Sequence, residues 1–338
     1  MKIRENVLIS ELTTMRIGGP ARFVIELTQP EDVAKAYQFA KEKNLPVWVM
    51  GGGANTIGRD EGFDGVILIN KIHGIKVIQE TENEIIVQSM GGEAWDDFVE
   101  FCTEKGFSGI EAMSAIPGTV GAAPVQNIGA YGQDISQVLL EVKAFDTETE
   151  QIIKIPAEKM KMAYRKSIFN HGEQVGRYFI VAIKVKLKKD NLKPPFYTSL
   201  QKYIDEHNET DFSPKNIRRM VKIVRESKLP DPLKIASAGS FFENVYISDE
   251  EAEKARAKGV QVWSERGKNI INSGWLIEAC GLKGKEFFGM MVSDKAALIL
   301  INKNAKSYAD LAKARELIRE TVKAKFGYEL EQEPMEIE

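Results

Sequence analysis

The chain has 338 residues, 43% of them hydrophobic and 28% charged, with a formal net charge of −3. The length predicts two or three domains rather than one core, and the composition is that of a soluble globular protein. The charge excludes a global field that would recruit nucleic acid or an anionic membrane. The opening MKIRENVLIS lacks an apolar signal core and no run is long enough to span a bilayer, so a cytoplasmic protein without membrane insertion is expected. Cys102 and Cys280 lie far apart and form no CxxC, and both are expected as buried free thiols. The three histidines, His73, His171 and His207, are scattered, which excludes an HExxH zinc site, and no GxSxG elbow is present. No metal site is expected, and acid–base work falls to Ser, Tyr, Lys, Arg or Glu.

In chain order, 30–43 predicts a helix, with Pro30, Glu31 and Asp32 at its start and lysines at its end. VWVM (47–50) predicts a buried strand that runs into GGGANT. VILIN (66–70) and EIIVQSM (84–90) predict further strands. AWDDFVEFCTEKG predicts a helix with Trp95, Phe98, Val99 and Cys102 on one side and a stop at Gly106. Strands are expected near 139–145 and 178–187. KKDNLKPPFYTSL, charged and with adjacent prolines, predicts a domain boundary. Beyond it, SPKNIRRMVKIVRESK predicts an amphipathic helix on Ile217, Val221 and Val224. GWLIEAC predicts a short helix, and FFGMMVS and AALILIN predict strands. The last helix runs through SYADLAKARELIRETVKAKFG, with Ser307 and Asp310 as a capping box and Gly327 as its stop. This mixed order favours an α+β fold over a doubly wound parallel sheet.

Two glycine-rich stretches carry the chemistry. The first is GGGANT: Gly51, Gly52, Gly53, Ala54, Asn55 and Thr56. It follows a strand, as a phosphate loop does, but lacks the Lys-Ser/Thr of a P-loop. NKIHG, about twenty residues on, offers no acidic residue for a ribose. Alone, the loop reads equally well as a tight strand-to-strand turn. The second, AIPGTVGAAPVQNIGAYG (115–132), is long, small and uncharged. Its glycines admit positive φ and let backbone N–H groups approach a ligand. Gln126 and Asn127 add amides, and Ile116 and Val120 are placed to flank an apolar ring. Together the two loops suit a dinucleotide held mainly by backbone. The candidate contacts in the second loop are Pro117, Gly118, Thr119, Gly121, Ala122, Gln126, Asn127, Gly129, Ala130, Tyr131 and Gly132.

IPGTVGAAPVQNIGAYG, AYRKSIF, SKLPDP, AGSFFEN and GWLIEACGLKG occur in that order, and through them the chain, from about Thr13 to Glu333, resembles the UDP-N-acetylenolpyruvoylglucosamine reductase family. The resemblance implies an FAD-binding region over 1–200 of the vanillyl-alcohol-oxidase type, in two lobes with the first at about 1–75. It also implies an α+β substrate-binding domain over 201–338, whose C-terminal tail returns to the active site. The cofactor is non-covalent FAD, the co-substrate NADPH, the substrate UDP-N-acetylglucosamine enolpyruvate, and the protein a monomer. Arg165 matches the arginine that binds the enolpyruvyl carboxylate. Ser240 matches the proton donor to the α-carbon. Glu333, with Glu331 close by, matches a carboxyl group that stabilises the enolate and must be protonated to do so. Tyr197, Lys228 and Asn244 match substrate-contacting positions, and Tyr131 and Tyr164 line the flavin or nicotinamide side.

The chain departs from the family pattern in places: Thr13 stands for an asparagine, Ala54 for a serine, Thr56 for a bulky aliphatic, and Gln332 for a proline. Two other readings remain. One is a different flavin-dependent oxidoreductase of the same superfamily, although neither loop carries a histidine to tether flavin. The other is a non-catalytic flavin- or UDP-sugar-binding protein.

Overall fold

The computed structural model describes residues 1–265 and 267–338. They form two compact units: Met1–Val7, Ala21–Gly52 and Asp64–Ser227 in the first, and Leu8–Pro20, Gly53–Phe63 and Lys228–Glu338 in the second. The chain thus divides at other places than the composition shift near residue 190.

The first unit holds two larger sheets and a short two-stranded one. One has the strand order Lys2–Leu8, Pro20–Leu27, Phe63–Asn70, Val47–Met50, its last two strands parallel. Helix α1 (Glu31–Glu42) turns Val33, Ala36 and Ala40 onto a core shared with Phe23, Ile25, Val66 and Leu68. The second sheet is a five-stranded antiparallel one, ordered Gln151–Pro156, Leu139–Asp146, Tyr178–Lys188, Glu84–Met90, Ile75–Glu80. Its inward face alternates Val142 and Ala144 with Ile183 and Val185, the period-two pattern of a half-buried sheet. Helix α2 (Trp95–Glu104) lays Trp95, Phe98, Val99 and Cys102 onto it. Two further helices, α3 (Thr198–His207) and α4 (Pro214–Lys228), build a smaller core from Leu200, Ile204, Ile217, Met220 and Val221. The stretch expected as a boundary therefore ends in the start of a helix, with Tyr197 at its N-cap.

The second unit has a four-stranded sheet, ordered Ser237–Ser240, Ile299–Asn302, Met290–Val292, Glu286–Phe287. FFGMMVS is a hairpin rather than one strand: Phe287 pairs with Met290 across Phe288 and Gly289. Both turn residues have positive φ, +52° and +77°, as a two-residue hairpin turn requires. Helices α5 (Asp249–Ala257), α6 (Ser273–Ala279) and α7 (Tyr308–Phe326) complete this unit. Its core joins Met15, Ile17 and Ile57 to Phe241, Phe242, Leu276, Leu311 and Ile318. At α7, Ser307 accepts from the Asp310 amide as expected, but the Asp310 carboxylate takes the Lys306 amide, one residue earlier than in a capping box. Both cysteines are free, yet only Cys102 is buried; Cys280 is half-buried. Among the described residues no helix is long and apolar enough to cross a membrane.

Candidate functional site

The two glycine loops differ in how they are built. In the second, the bulky residues point inward: Val120 is fully buried, and Ile116, Val125 and Ile128 pack on the same core. They anchor the loop, and Val120, expected to flank a ring, is instead closed into the core. With the apolar side chains turned in, the backbone and small residues form the outer layer. Asp96, in the first turn of α2, accepts the Ala115 amide at 2.6 Å and pairs with Arg218 of α4 through both oxygens. Burial pushes the Asp96 carboxyl up, but the Arg218 guanidinium and the Ala115 amide outweigh it and hold it below its ordinary value. The loop ends in a two-residue hairpin, Gly129–Ala130 against Gln133–Asp134, with Tyr131 and Gly132 at its tip. There Tyr131 meets Tyr197 edge-on, ring centroids 5.7 Å apart.

Arg165 stands in a similar tip, between Ala163 and Lys166, which exchange backbone hydrogen bonds. Its guanidinium carbon lies 5.2 Å from the Tyr164 ring centroid. Asn127 ties this hairpin to the loop: its Nδ2 donates to the Ala163 carbonyl at 3.1 Å and its Oδ1 accepts the Ser136 amide at 3.1 Å. Ser167 adds a second tie, donating to the Val125 carbonyl at 2.6 Å. The Asn127 amide thus braces the site, where the sequence suggests a ligand contact. Ala115, Asn127, Tyr131 and Arg165 all have positive φ, between +45° and +57°. Non-glycine residues pay for that conformation, and such strain gathers at functional sites.

The first unit passes a test of fit for a dinucleotide. The Thr119 hydroxyl is buried and without a hydrogen-bond partner among the described residues, which costs free energy unless a ligand supplies one. A Cβ on Gly51 would sit 2.2 Å from that hydroxyl, and Gly118, at φ +125°, faces open space. These are features of a backbone-lined bed that takes a polar ligand. In the same region Gly121 and Ala122 spend their amides on the carbonyls of Gly91 and Thr119, so their part is to keep the turn tight.

GGGANT is where the chain passes from the first unit to the second. Gly53, at φ +64°, has no room for a side chain: a Cβ would meet the Leu12 carbonyl at 2.1 Å. Ala54 follows, half-buried. Asn55 and Thr56 serve the C-terminal tail. The Asn55 carbonyl accepts the Met335 amide at 3.0 Å and its Nδ2 donates to the Glu333 carbonyl at 3.5 Å. Thr56 opens the strand Thr56–Gly58, which pairs in parallel with Met335–Ile337. Thr13 is buried, with a hydroxyl lacking a partner among the described residues. Thr14 donates to the Ser237 carbonyl at 2.6 Å.

Ser240 ends its strand opposite Ile299, just past Gly239 at φ +73°. The next residues, Phe241 and Phe242, are buried in the second unit's core. Their backbone also receives the tail: the Glu333 amide donates to the Phe241 carbonyl at 3.0 Å, and the Glu243 amide to the Glu331 carbonyl at 2.9 Å. Ser240 and Glu333, 93 positions apart in sequence, are thereby brought to neighbouring backbone segments. Glu333 is half-buried there, whereas Glu331 is exposed. Asn244 accepts the Ser273 amide at 3.2 Å and the Asn272 side chain at 3.3 Å, which fixes it at the start of α6. Lys228 is exposed at the end of α4.

Sequence reasoning missed two ionic groups. One is Asp96–Arg218; the other joins Arg59, Tyr308, Arg315 and Glu336. Their charged residues read as solvated helix faces or tail, and only folding brings partners 122 and 277 positions apart together.

Comparisons with known proteins agree with this layout. Residues 21–155 match an FAD binding domain family, and 231–337 match the C-terminal domain of UDP-N-acetylenolpyruvoylglucosamine reductase. The reductase of that name from Burkholderia orbicola is 36% identical over 95% of this chain and 93% of its own length. That of Bdellovibrio bacteriovorus is 34% identical over 99% of both. The crystal structure of the reductase from Thermus caldophilus matches the fold over the whole of both chains, with a TM-score of 0.68 at 20% identity.

Proposed function

The chain belongs to the UDP-N-acetylenolpyruvoylglucosamine reductase family and is an FAD-dependent oxidoreductase, and we propose that it uses NADPH to reduce UDP-N-acetylglucosamine enolpyruvate to UDP-N-acetylmuramate. Gly51, Gly52, Gly118 and Thr119 hold the FAD diphosphate, through backbone N–H groups and the otherwise unsatisfied Thr119 hydroxyl. When bound, the flavin supplies the hydride that reaches the vinyl CH2 carbon. That addition leaves negative charge on the α-carbon, shared with the carboxylate. Arg165 binds the carboxylate, because a guanidinium meets it with two parallel hydrogen bonds and stays charged. Ser240 gives its hydroxyl proton to the α-carbon. Glu333, as the neutral acid, donates a hydrogen bond to the enolate; as a carboxylate it would repel that charge. Tyr197 and Lys228 hold the substrate diphosphate, Asn244 the sugar or uridyl group, and Tyr131 and Tyr164 line the flavin or nicotinamide side.

The observation that carries this reading is the backbone pairing that holds Glu333 beside the Ser240 segment. It supports the reading because the segments that carry the assigned proton donor and charge stabiliser run side by side. The test is spectroscopic. The purified protein is yellow, bleaches with NADPH in the absence of oxygen, and regains its colour when UDP-N-acetylglucosamine enolpyruvate is added. Recovery with oxygen alone would turn the reading toward an oxidase. A protein that binds FAD but never bleaches would be a non-catalytic binder.

A further inference from the structure

The tail carrying Glu333 is anchored by the main chain on either side of Pro334, through the Glu333 amide to Phe241 and the Met335 amide to Asn55. Pro334 has no N–H, so between Glu333 and Met335 one donor is missing. Side chains make up the difference. The Glu336 carboxylate accepts from Arg59 Nη2 at 3.0 Å and Nε at 3.2 Å, and from the Tyr308 hydroxyl at 2.7 Å. Its other oxygen accepts from Arg315 Nη1 at 2.6 Å and Gln332 Nε2 at 3.1 Å. The side chain is only 12% exposed, so these bonds are worth more than at an open surface. Gln332 also accepts from Arg315 at 2.8 Å and donates to the Pro334 carbonyl at 2.8 Å. The side chains of residues 332 and 336 therefore close over the segment between them, and Glu333 lies inside that closed segment.

We infer that Glu336 is a positioning residue for Glu333, acting through a staple to Gln332 that Arg59, Tyr308 and Arg315 fix to the second unit. The inference rests on the role proposed above for Glu333. Glu336 itself touches no reacting atom. It sets where the Glu333 carboxyl group stands, and a displacement of about 1 Å can cost roughly a hundredfold in rate. Gln332, which replaces the proline of the resembling family, supplies the staple's second arm.

The experiment is the holoenzyme with Glu336→Gln, read by amide exchange and by the two half-reactions. The expected result is faster exchange at the Glu333 and Met335 amides, with the peptides of the first unit unchanged. Reoxidation by UDP-N-acetylglucosamine enolpyruvate slows about tenfold or more, while bleaching by NADPH stays within about twofold of the parent rate. Unchanged exchange at those two amides overturns the inference, as does an equal slowing of both half-reactions, which would mark a merely structural role. Should Glu336→Gln fail to fold, Gln332→Ala carries the same test with smaller effects of the same sign. Glu333→Gln separates the two ideas. If it reoxidises at the parent rate, the role of Glu333 falls, and amide exchange still decides whether Glu336 sets the tail.

Discussion

The residues assigned to FAD in the first unit stand largely on glycine backbone, whereas in the second unit Ser240 ends a paired strand and Glu333 lies on a tail segment hydrogen-bonded to Phe241. The contrast follows from what each is proposed to do. A diphosphate bound by backbone N–H groups needs the chain itself to approach, so bulk is excluded and conformations such as φ +125° at Gly118 are accepted. A proton donor and a charge stabiliser need side chains aimed to a fraction of an ångström, which regular pairing and a hydrogen-bonded surround provide. Strain recurs at Arg165, assigned to the substrate carboxylate, and there Asn127 and Ser167 brace the hairpin against the loop.

The comparison breaks first at Ser240. Ser240→Ala is expected to slow the half-reaction with the enolpyruvyl substrate by about 10²–10⁴-fold, the usual worth of a positioned acid, with FAD content and bleaching by NADPH retained. Stopped-flow absorbance separates the halves, and equal slowing of both would make Ser240 structural. Next comes Gly51→Ala, whose methyl group would press on the Thr119 hydroxyl. Overpacking of this kind costs about 1–3 kcal/mol, so FAD affinity should fall roughly ten- to a hundredfold. Titration of the apoprotein by flavin fluorescence checks it, and unchanged affinity would move the bed elsewhere. Arg165→Lys keeps the charge but loses the fork, and should raise KM for the enolpyruvyl substrate about tenfold while FAD affinity stays the same. A KM at the parent value would remove Arg165 from the carboxylate.

The smallest effect concerns the brace on Ala115. The folded Asp96 carboxyl group titrates below its ordinary value, so the folded state binds fewer protons than the unfolded one. Its contribution to stability is complete above the ordinary carboxylate range and is lost as pH falls through the depressed value. Asp96→Asn should therefore lower Tm at neutral pH by roughly 2–4 °C and flatten the fall in Tm between about pH 4 and the acid limit. An acid limb as steep as the parent's would show that other carboxylates carry it.

Much of this was legible in the chain. The periodicity of α2, α4 and α7 and the apolar strands at 47–50, 84–90 and 178–187 pointed to the α+β class, because their patterns are local, although 47–50, expected buried, leaves Val49 exposed. The short α3 and α5 were missed; α3 begins at the end of a stretch whose prolines read as a linker. The long motifs pointed to Arg165, Ser240 and Glu333. What could not be read was direction. Val120 and Asn127 suit a ligand or a core equally by type, and only the fold turns Val120 inward and Asn127 toward Ala163. The Asp96–Arg218 and Glu336 groups lay beyond any sequence window, since ion pairs over such separations leave no periodic trace.

The three-segment make-up of the second unit bears on how the chain is made. Its core needs Met15, Ile17 and Ile57 from early in the sequence and Leu330 from near its end. The tail strand Met335–Ile337 pairs with Thr56–Gly58. During synthesis the early segments must wait for nearly the whole chain to emerge, and contacts of such long range form slowly. A fragment cut to residues 231–337, the span of the matched C-terminal domain, would lack part of its own hydrophobic interior and the strand that receives its end. Such a fragment should aggregate rather than fold. Gene fusion or truncation near residue 228 would divide a folding unit and not free one.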